Sequence, residues 1–302
     1  MNTTFSHRIK EELAEITGSG RHCQLAELSV IISFFGRIKI VGGIPSLTLH
    51  TENEYIEKKF GMLLKSAFDI DEITEKDVMR ILGAVKVWNE NEGRFSDTRT
   101  VNNILLQQSC CKRAYIRGAF LSVGSMSDPN KGYHLEFVCQ YEDQAKQLRD
   151  EINSFGLDSK VIARKKNFVV YIKEGENIVD LLNVMGAYKS LMDLENVRIV
   201  KEMRNSVNRK VNCETANISK TVNAAVKQVA AITYIRDEAG LDSLPDPLRE
   251  MAEVRLENPD TPLKDLGCLL DPPIGKSGVN HRLRKLVEIA EEMGAQFKEK
   301  RV

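Results

Sequence analysis

An offset of 88 residues lays the first two thirds of this chain on itself without a gap. Leu28 falls on Ile116, Ile32 on Phe120, Phe35 on Val123, Gly36 on Gly124, Leu47 on Leu135, Leu49 on Phe137, Phe60 on Leu148 and Leu64 on Ile152. A period this long marks a duplicated domain, since solenoid units recur every ~20 to 50 residues. Each copy reads as a helix ending at glycine, alternating strand segments (Ile44 to His50; Tyr133 to Gln140) and a polar-faced helix (Glu54 to Ala67; Asp143 to Phe155). A further strand is expected around Ile81 to Trp88 in the first copy and Asn167 to Ile172 in the second. Chance would match apolar residues in a chain that is 42% hydrophobic, but not helix end, strand and helix in one register. The leading helices, Leu25 to Phe35 and Ala114 to Val123, are apolar and carry the small residues Ala26, Gly118 and Ala119. Small residues let backbones approach closely, so the two helices are expected side by side on a pseudo-twofold axis. Before the first copy, Phe5, Ile9, Leu13 and Ile16 keep the spacing of an amphipathic helix.

The 302 residues leave room for two or three domains. Lys+Arg and Asp+Glu balance at 43 each, so any affinity for nucleic acid must come from local patches. The six cysteines (Cys23, Cys110, Cys111, Cys139, Cys213, Cys268) show no C-x-x-C spacing and no nearby His pair. That pattern speaks against a zinc site or a disulfide framework and for reduced thiols. The scattered His7, His22, His50, His134 and His281 read as structural side chains. No apolar run approaches the ~18 residues of a membrane span, and the N-terminus is no signal peptide, so the expected location is cytoplasmic.

Near the C-terminus, Thr261 to Leu270, a Pro-Gly break, and Lys276 to Leu286 have the layout of a helix-turn-helix. Thr261 is placed to cap before Pro262 at the first helical position, and Ser277 to cap the second helix. Leu263, Leu266, Leu269 and Leu270 on the first helix, with Val279, Leu283, Leu286 and Val287 on the second, keep the spacing of one buried face. The opposite face of the second helix carries Asn280, His281, Arg282, Arg284 and Lys285 with no acid among them. Arg reaches guanine bidentately and Asn adenine, so duplex DNA is the partner to expect.

Upstream, Val197 to Lys210 holds five basic residues against one acid and reads as a linker able to lie along phosphates, with Arg198, Lys201, Arg204, Arg209 and Lys210 as accessory contacts. From Thr215 a helix carries Ile218, Val222, Ala225, Val226, Val229, Ile232 and Ile235 on one face and stops at Gly240. Asp246, between Pro245 and Pro247, is placed to cap a helix running to about Leu256. With the helix-turn-helix this makes a four-helix unit, a core that an all-helical interaction module would share. The domains are therefore 1–195 (copies at about 20–100 and 108–195), a linker at 196–214, the DNA-binding unit at 215–296 and a charged tail at 297–302.

The paired segments Leu28 to Gly36 and Ile116 to Gly124 resemble the motif helices of LAGLIDADG homing endonucleases. In those nucleases the eighth motif position is an acid, and one from each helix holds the divalent metal. This chain has Phe35 and Val123 there, and Ser33 and Leu121 at the sixth position. Apolar side chains cannot ligate a hard cation. Asp128, after the second glycine, has no counterpart in the first copy, where Ile40 stands. No metal, no catalytic residue and no nuclease activity are expected.

Together with the basic segment, Asn208 to Asn217 and Leu269 to Leu286, the whole pattern is similar to the WhiA family of Gram-positive bacterial regulators. The resemblance implies an α+β, LAGLIDADG-like duplicated domain followed by an all-α domain similar to sigma-factor region four. It also implies a DNA-binding transcription factor of sporulation or cell division that is nucleoid-associated, needs no cofactor or small-molecule substrate, and works with a regulatory partner protein in some lineages. Carried onto this sequence, the binding role falls on Lys276, Ser277, Asn280, His281, Arg282, Arg284 and Lys285. Two other functions remain open: a non-catalytic adaptor of division or chromosome organisation with weak DNA contact, and a metal-dependent endonuclease.

Overall fold

The computed structural model describes residues 3–18, 20–41, 44–89 and 94–295, and the expected tail at 297–302 lies outside them. The chain divides into two compact units, Met1–Glu202 and Met203–Val302.

In the first unit, helix α1 (Phe5–Glu15) buries Phe5, Ile9 and Leu13, as their spacing requires. The motif helices α2 (Arg21–Phe35) and α5 (Ser109–Val123) start and stop exactly one repeat apart. Each runs into a strand through a glycine, Gly36 or Gly124. Their hairpins repeat the register too. β1 (Gly36–Val41) pairs with β2 (Ile44–Leu49) through Gly36 opposite Leu49, while β5 (Gly124–Met126) pairs with β6 (Leu135–Cys139) through Gly124 opposite Phe137. Helices α3 (Glu54–Phe68) and α6 (Glu142–Asn153) follow at equivalent places.

Beyond these elements the copies diverge. The second copy adds β7 (Lys160–Arg164) and β8 (Asn167–Ile172) to give an antiparallel sheet of order β5-β6-β8-β7, on which α6 packs, and then α7 (Gly175–Met185), which packs against α5. In the first copy the strand expected around Ile81 to Trp88 is instead helix α4 (Glu75–Ala84), followed by the short pair β3 (Trp88–Asn89) and β4 (Arg94–Phe95). The helix wins because Val78, Ile81, Leu82 and Val85 fall on one buried face and Thr74 with Asp77 form a capping box.

The contact between α2 and α5 organises the unit. Gly118 leaves no room for a side chain: a Cβ there would stand 2.6 Å from Val30 and 3.2 Å from the Glu27 backbone oxygen. Beside this approach a charge network is sealed in. Arg117 donates two bonds to Glu27, from Nε to Oε1 at 2.9 Å and from Nη2 to Oε2 at 2.8 Å. Lys59 of α3, fully buried, sits 3.2 Å from the same carboxylate and donates to the carbonyls of Leu13 and Ile16 at the end of α1. Burial lowers the Lys59 pKa, against the pull of Glu27. A buried ion pair is costly to break one-sidedly, because the surviving charge cannot rehydrate. Glu27→Ala is therefore expected to destabilise the protein by about 3 to 5 kcal/mol, read as a lowered urea midpoint.

The segment expected as a linker is helical. Helix α8 (Tyr188–Ala239) runs unbroken through 196–214 and through the helix expected from Thr215. Its start is capped from α1, where the Glu12 carboxylate accepts from the Lys189 and Ser190 amides at 2.7 and 2.9 Å. The helix contains neither Gly nor Pro, which is the physical reason it does not break.

The second unit is the expected four-helix body: the C-terminal part of α8, α9 (Asp246–Glu257), α10 (Leu263–Cys268) and α11 (Lys276–Glu292). Gly240, at φ 75°, stops α8 where the sequence places the stop. The buried face of α8 is shorter than expected. Ala231, Ile232 and Ile235 are buried with Met251, Leu266, Leu283 and Leu286, whereas Ile218, Val222 and Val226 are exposed. Asp246 is the first helical residue of α9 and Pro245 its cap. Among the described residues, no helix is long and apolar enough to cross a membrane.

Candidate nucleic-acid interface and a thiol cluster

Helices α10 and α11 meet through a glycine. A Cβ on Gly267 would stand 2.1 Å from the Ile274 carbonyl oxygen, and the Ile274 amide donates to the Gly267 carbonyl at 3.0 Å. Leu266, Leu270, Val279, Leu283 and Leu286 are buried as expected, while Leu263 and Val287 are half-buried and Leu269 is 54% exposed. The caps differ from expectation. Neither Thr261 nor Ser277 caps its helix; the cap positions are Pro262 and Gly275, and neither helix start has a side-chain cap. The α11 amides therefore stay open at its positive end, where Lys276 and Ser277 form the first turn.

Lys276, Ser277, Asn280, His281, Arg284 and Lys285 are all exposed on α11. Arg282 is not on that open face. Its side chain is only 24% exposed, donates to the Pro247 carbonyl at 3.3 Å and lies 3.7 Å from Glu250 on α9. Glu250 also accepts from the Asp271 amide at 2.7 Å, so one carboxylate holds both the turn and α11. The acid-free face extends only to Lys285: Glu288 meets Arg284 at 3.2 Å and Lys285 at 3.6 Å. Next to the start of α11 lies a groove of about 910 Å³, rimmed by Lys220, Lys264 and Lys276.

The expected accessory contacts divide. Arg198 pairs with Glu195 at 2.6 Å, and Lys201 donates to the Pro129 carbonyl at 2.6 Å while lying over the Tyr133 ring. Arg204, Arg209 and Lys210 are exposed on α8.

At the C-terminal ends of the motif helices, Phe35 and Val123 are half-buried among apolar neighbours. Asp128 is exposed and accepts from the backbone and side chain of Asn130, which hold its pKa below the usual carboxylate range. Among the described residues no group of three metal-ligating side chains gathers there.

The opposite ends of the same helices bring together side chains that the linear cysteine spacing keeps apart. His22 and Cys23 in the first turn of α2 meet Cys110 and Cys111 in the first turn of α5, with all four ligand atoms within 4.8 Å of one another. His22 Nδ1 lies 3.2 Å from Cys111 Sγ, 3.3 Å from Cys23 Sγ and 3.9 Å from Cys110 Sγ. Burial, then hydrogen bonding with Cys110, pushes the Cys23 thiol up to about 12. The signal was in the repeat itself, because the same offset that aligns the helices lays His22 on Cys110 and Cys23 on Cys111.

A duplicated domain whose motif helices pair as in LAGLIDADG proteins, followed by a four-helix unit with a helix-turn-helix, defines a two-part architecture. Residues 112–204 match the model of the WhiA LAGLIDADG-like domain and residues 207–290 that of the WhiA C-terminal HTH domain. The chain is 48% identical to a probable cell division protein WhiA of Lachnoclostridium phytofermentans, covering 95% of this chain and 98% of that protein. It is 46% identical to the protein so named in Clostridium novyi, covering 98% and 100%. The crystal structure of full-length DUF199/WhiA from Thermatoga maritima aligns with a TM-score of 0.58 at 25% identity, covering 97% of this chain and 100% of that one. The chain belongs to the WhiA family.

The Gly267 approach generates a direct check of the α10–α11 geometry. Gly267→Ala is expected to cost about 1 to 3 kcal/mol through overpacking, seen as a lower melting temperature of the full-length protein.

Proposed function

We propose that this protein is a transcriptional regulator acting in cell division, which reads duplex DNA through α11 and does not cut it. The observation that carries the proposal is the exposed run Lys276, Ser277, Asn280, His281, Arg284 and Lys285 on the second helix of a helix-turn-helix. Asn280 has the chemistry to pair with adenine, and Arg284 and Lys285 to meet phosphates, with the open amides of the first turn adding an anion site. Arg282 acts by fixing α11 on α9 and not by reading a base, because its guanidinium is engaged with Pro247 and Glu250. Arg204, Arg209 and Lys210 supply further phosphate contacts. The relatives' name, probable cell division protein, supports the link to cell division.

Gel-shift titrations of the full chain test the assignment. Asn280→Ala is expected to relax sequence preference at one position, at a cost of about 1 to 3 kcal/mol for the preferred site. Lys285→Ala should weaken all sequences alike and lower the salt slope by about 1. Unchanged affinity and preference in both variants would refute DNA reading by this face.

The absence of cutting follows from donor chemistry. Phe35 and Val123 offer no oxygen where a hydrolytic metal would sit, and a hard cation needs oxygen ligands. Plasmid incubated with Mg²⁺ and stoichiometric protein is expected to stay supercoiled; nicked or linear product would overturn this part.

A second function, that of a division adaptor, is favoured by one observation: Met203, Val207, Val211, Ile218, Val222 and Val226 are exposed on α8, an apolar surface of the kind that protein partners cover. Strong binding to a division-complex protein by a chain with no measurable DNA preference would support it over the first.

A further inference from the structure

We infer that His22, Cys23, Cys110 and Cys111 form a zinc(II) site that clamps the N-terminal ends of the two motif helices. A tetrahedral zinc ion with Zn–S near 2.3 Å and Zn–N near 2.0 Å separates its ligands by about 3.5 Å from nitrogen to sulfur and about 3.8 Å from sulfur to sulfur. The three distances from His22 Nδ1 to the sulfurs, 3.2, 3.3 and 3.9 Å, straddle that edge length. All four ligand atoms fall within 4.8 Å, so closing on an ion needs only small rotations.

The donor set selects the ion. Three thiols and one imidazole match a structural zinc site, whereas Mg²⁺ and Ca²⁺ require oxygen. The backbone makes room for it. A Cβ on Gly20 would stand 2.6 Å from His22 Nε2, and one on Gly18 2.9 Å from the Cys23 Cβ, so glycine at both places leaves the imidazole and thiol free to turn inward. Neither α2 nor α5 has a side-chain cap, so their positive ends favour the anionic thiolates that zinc binding would generate. Cys23 and Cys111 are buried and His22 and Cys110 exposed, which gives the ion an entry path from solvent. Because two ligands come from each copy, the ion ties the copies together at the end of the helix pair opposite Phe35 and Val123.

The test is a cobalt(II) titration of the full chain, reduced with a phosphine, followed by visible absorption and then displacement by zinc. One cobalt per chain is expected, with the intense ligand-field and sulfur charge-transfer bands of a tetrahedral thiolate site, lost on adding one equivalent of zinc. His22→Ala and Cys110→Ser, both at exposed positions, should weaken binding on the order of 100-fold or more, while Cys213→Ser on α8 leaves it unchanged. Zinc should raise the melting temperature of the parent protein and not of the two variants. A weak octahedral cobalt spectrum in the parent protein would sink the assignment, and that result does not depend on how the variants fold. Affinity untouched by both substitutions would sink it too, as would fully reduced parent protein that takes up neither cobalt nor zinc.

Discussion

Everything in the first unit is arranged around the seam where α2 and α5 touch. Helices come this close only where a residue has no side chain to hold them apart, and Gly118 lies against Val30 and the Glu27 backbone. From that seam each helix passes through a glycine into a hairpin with identical register, and each hairpin is followed by a helix packed on the same core. The seam also decides what each end of the pair can do. One end presents Phe35 and Val123, and the other gathers a histidine and three thiols.

In the second unit two residues set how α10 and α11 meet their neighbours. Gly267 lets α10 approach the turn, and Glu250 holds both Asp271 and Arg282. Fixing α11 this way leaves Lys276, Ser277, Asn280 and His281 exposed at its N-terminal end. A surface that must meet an external ligand in one orientation needs such support beneath it. The price is Arg282, whose charge is used inside the unit.

The duplication, the motif helices, the hairpins and the helix-turn-helix were legible in the sequence because each is written as a period or a break: residues one offset apart, alternation in Leu135 to Cys139, Gly240 after Ala239. What escaped depends on information that is not local. The basic stretch 196–214 reads as a linker by charge, yet without Gly or Pro it continues α8. Ile81 to Trp88 is apolar enough for a strand, and the buried face it shares with Val78 together with the capping box at Thr74 and Asp77 tips its first part to a helix. Ser277 looks like a cap, but Gly275 occupies that position. Arg282 belongs to a basic row by sequence and to α9 by packing. The thiol cluster escaped a search by linear spacing, since its halves lie 88 residues apart and meet only because the copies pair. Glu27 and Arg117 stood in apolar helices and Lys59 among the charges of a polar-faced one, and their mutual attraction is visible only in three dimensions.

That sealed network also says something about the history open to this fold. Two identical subunits related by a twofold would bring every axial side chain twice. Here the counterpart of Glu27 is Tyr115, and the counterpart of Arg117 is Ser29. Glu27 and Arg117 each occur once, on opposite sides of the seam, an arrangement available only to halves that differ in sequence. Neither half can now stand in for the other: a symmetric pair of second halves would bury two Arg117 guanidiniums with no Glu27 between them, and a pair of first halves would leave Glu27 without Arg117.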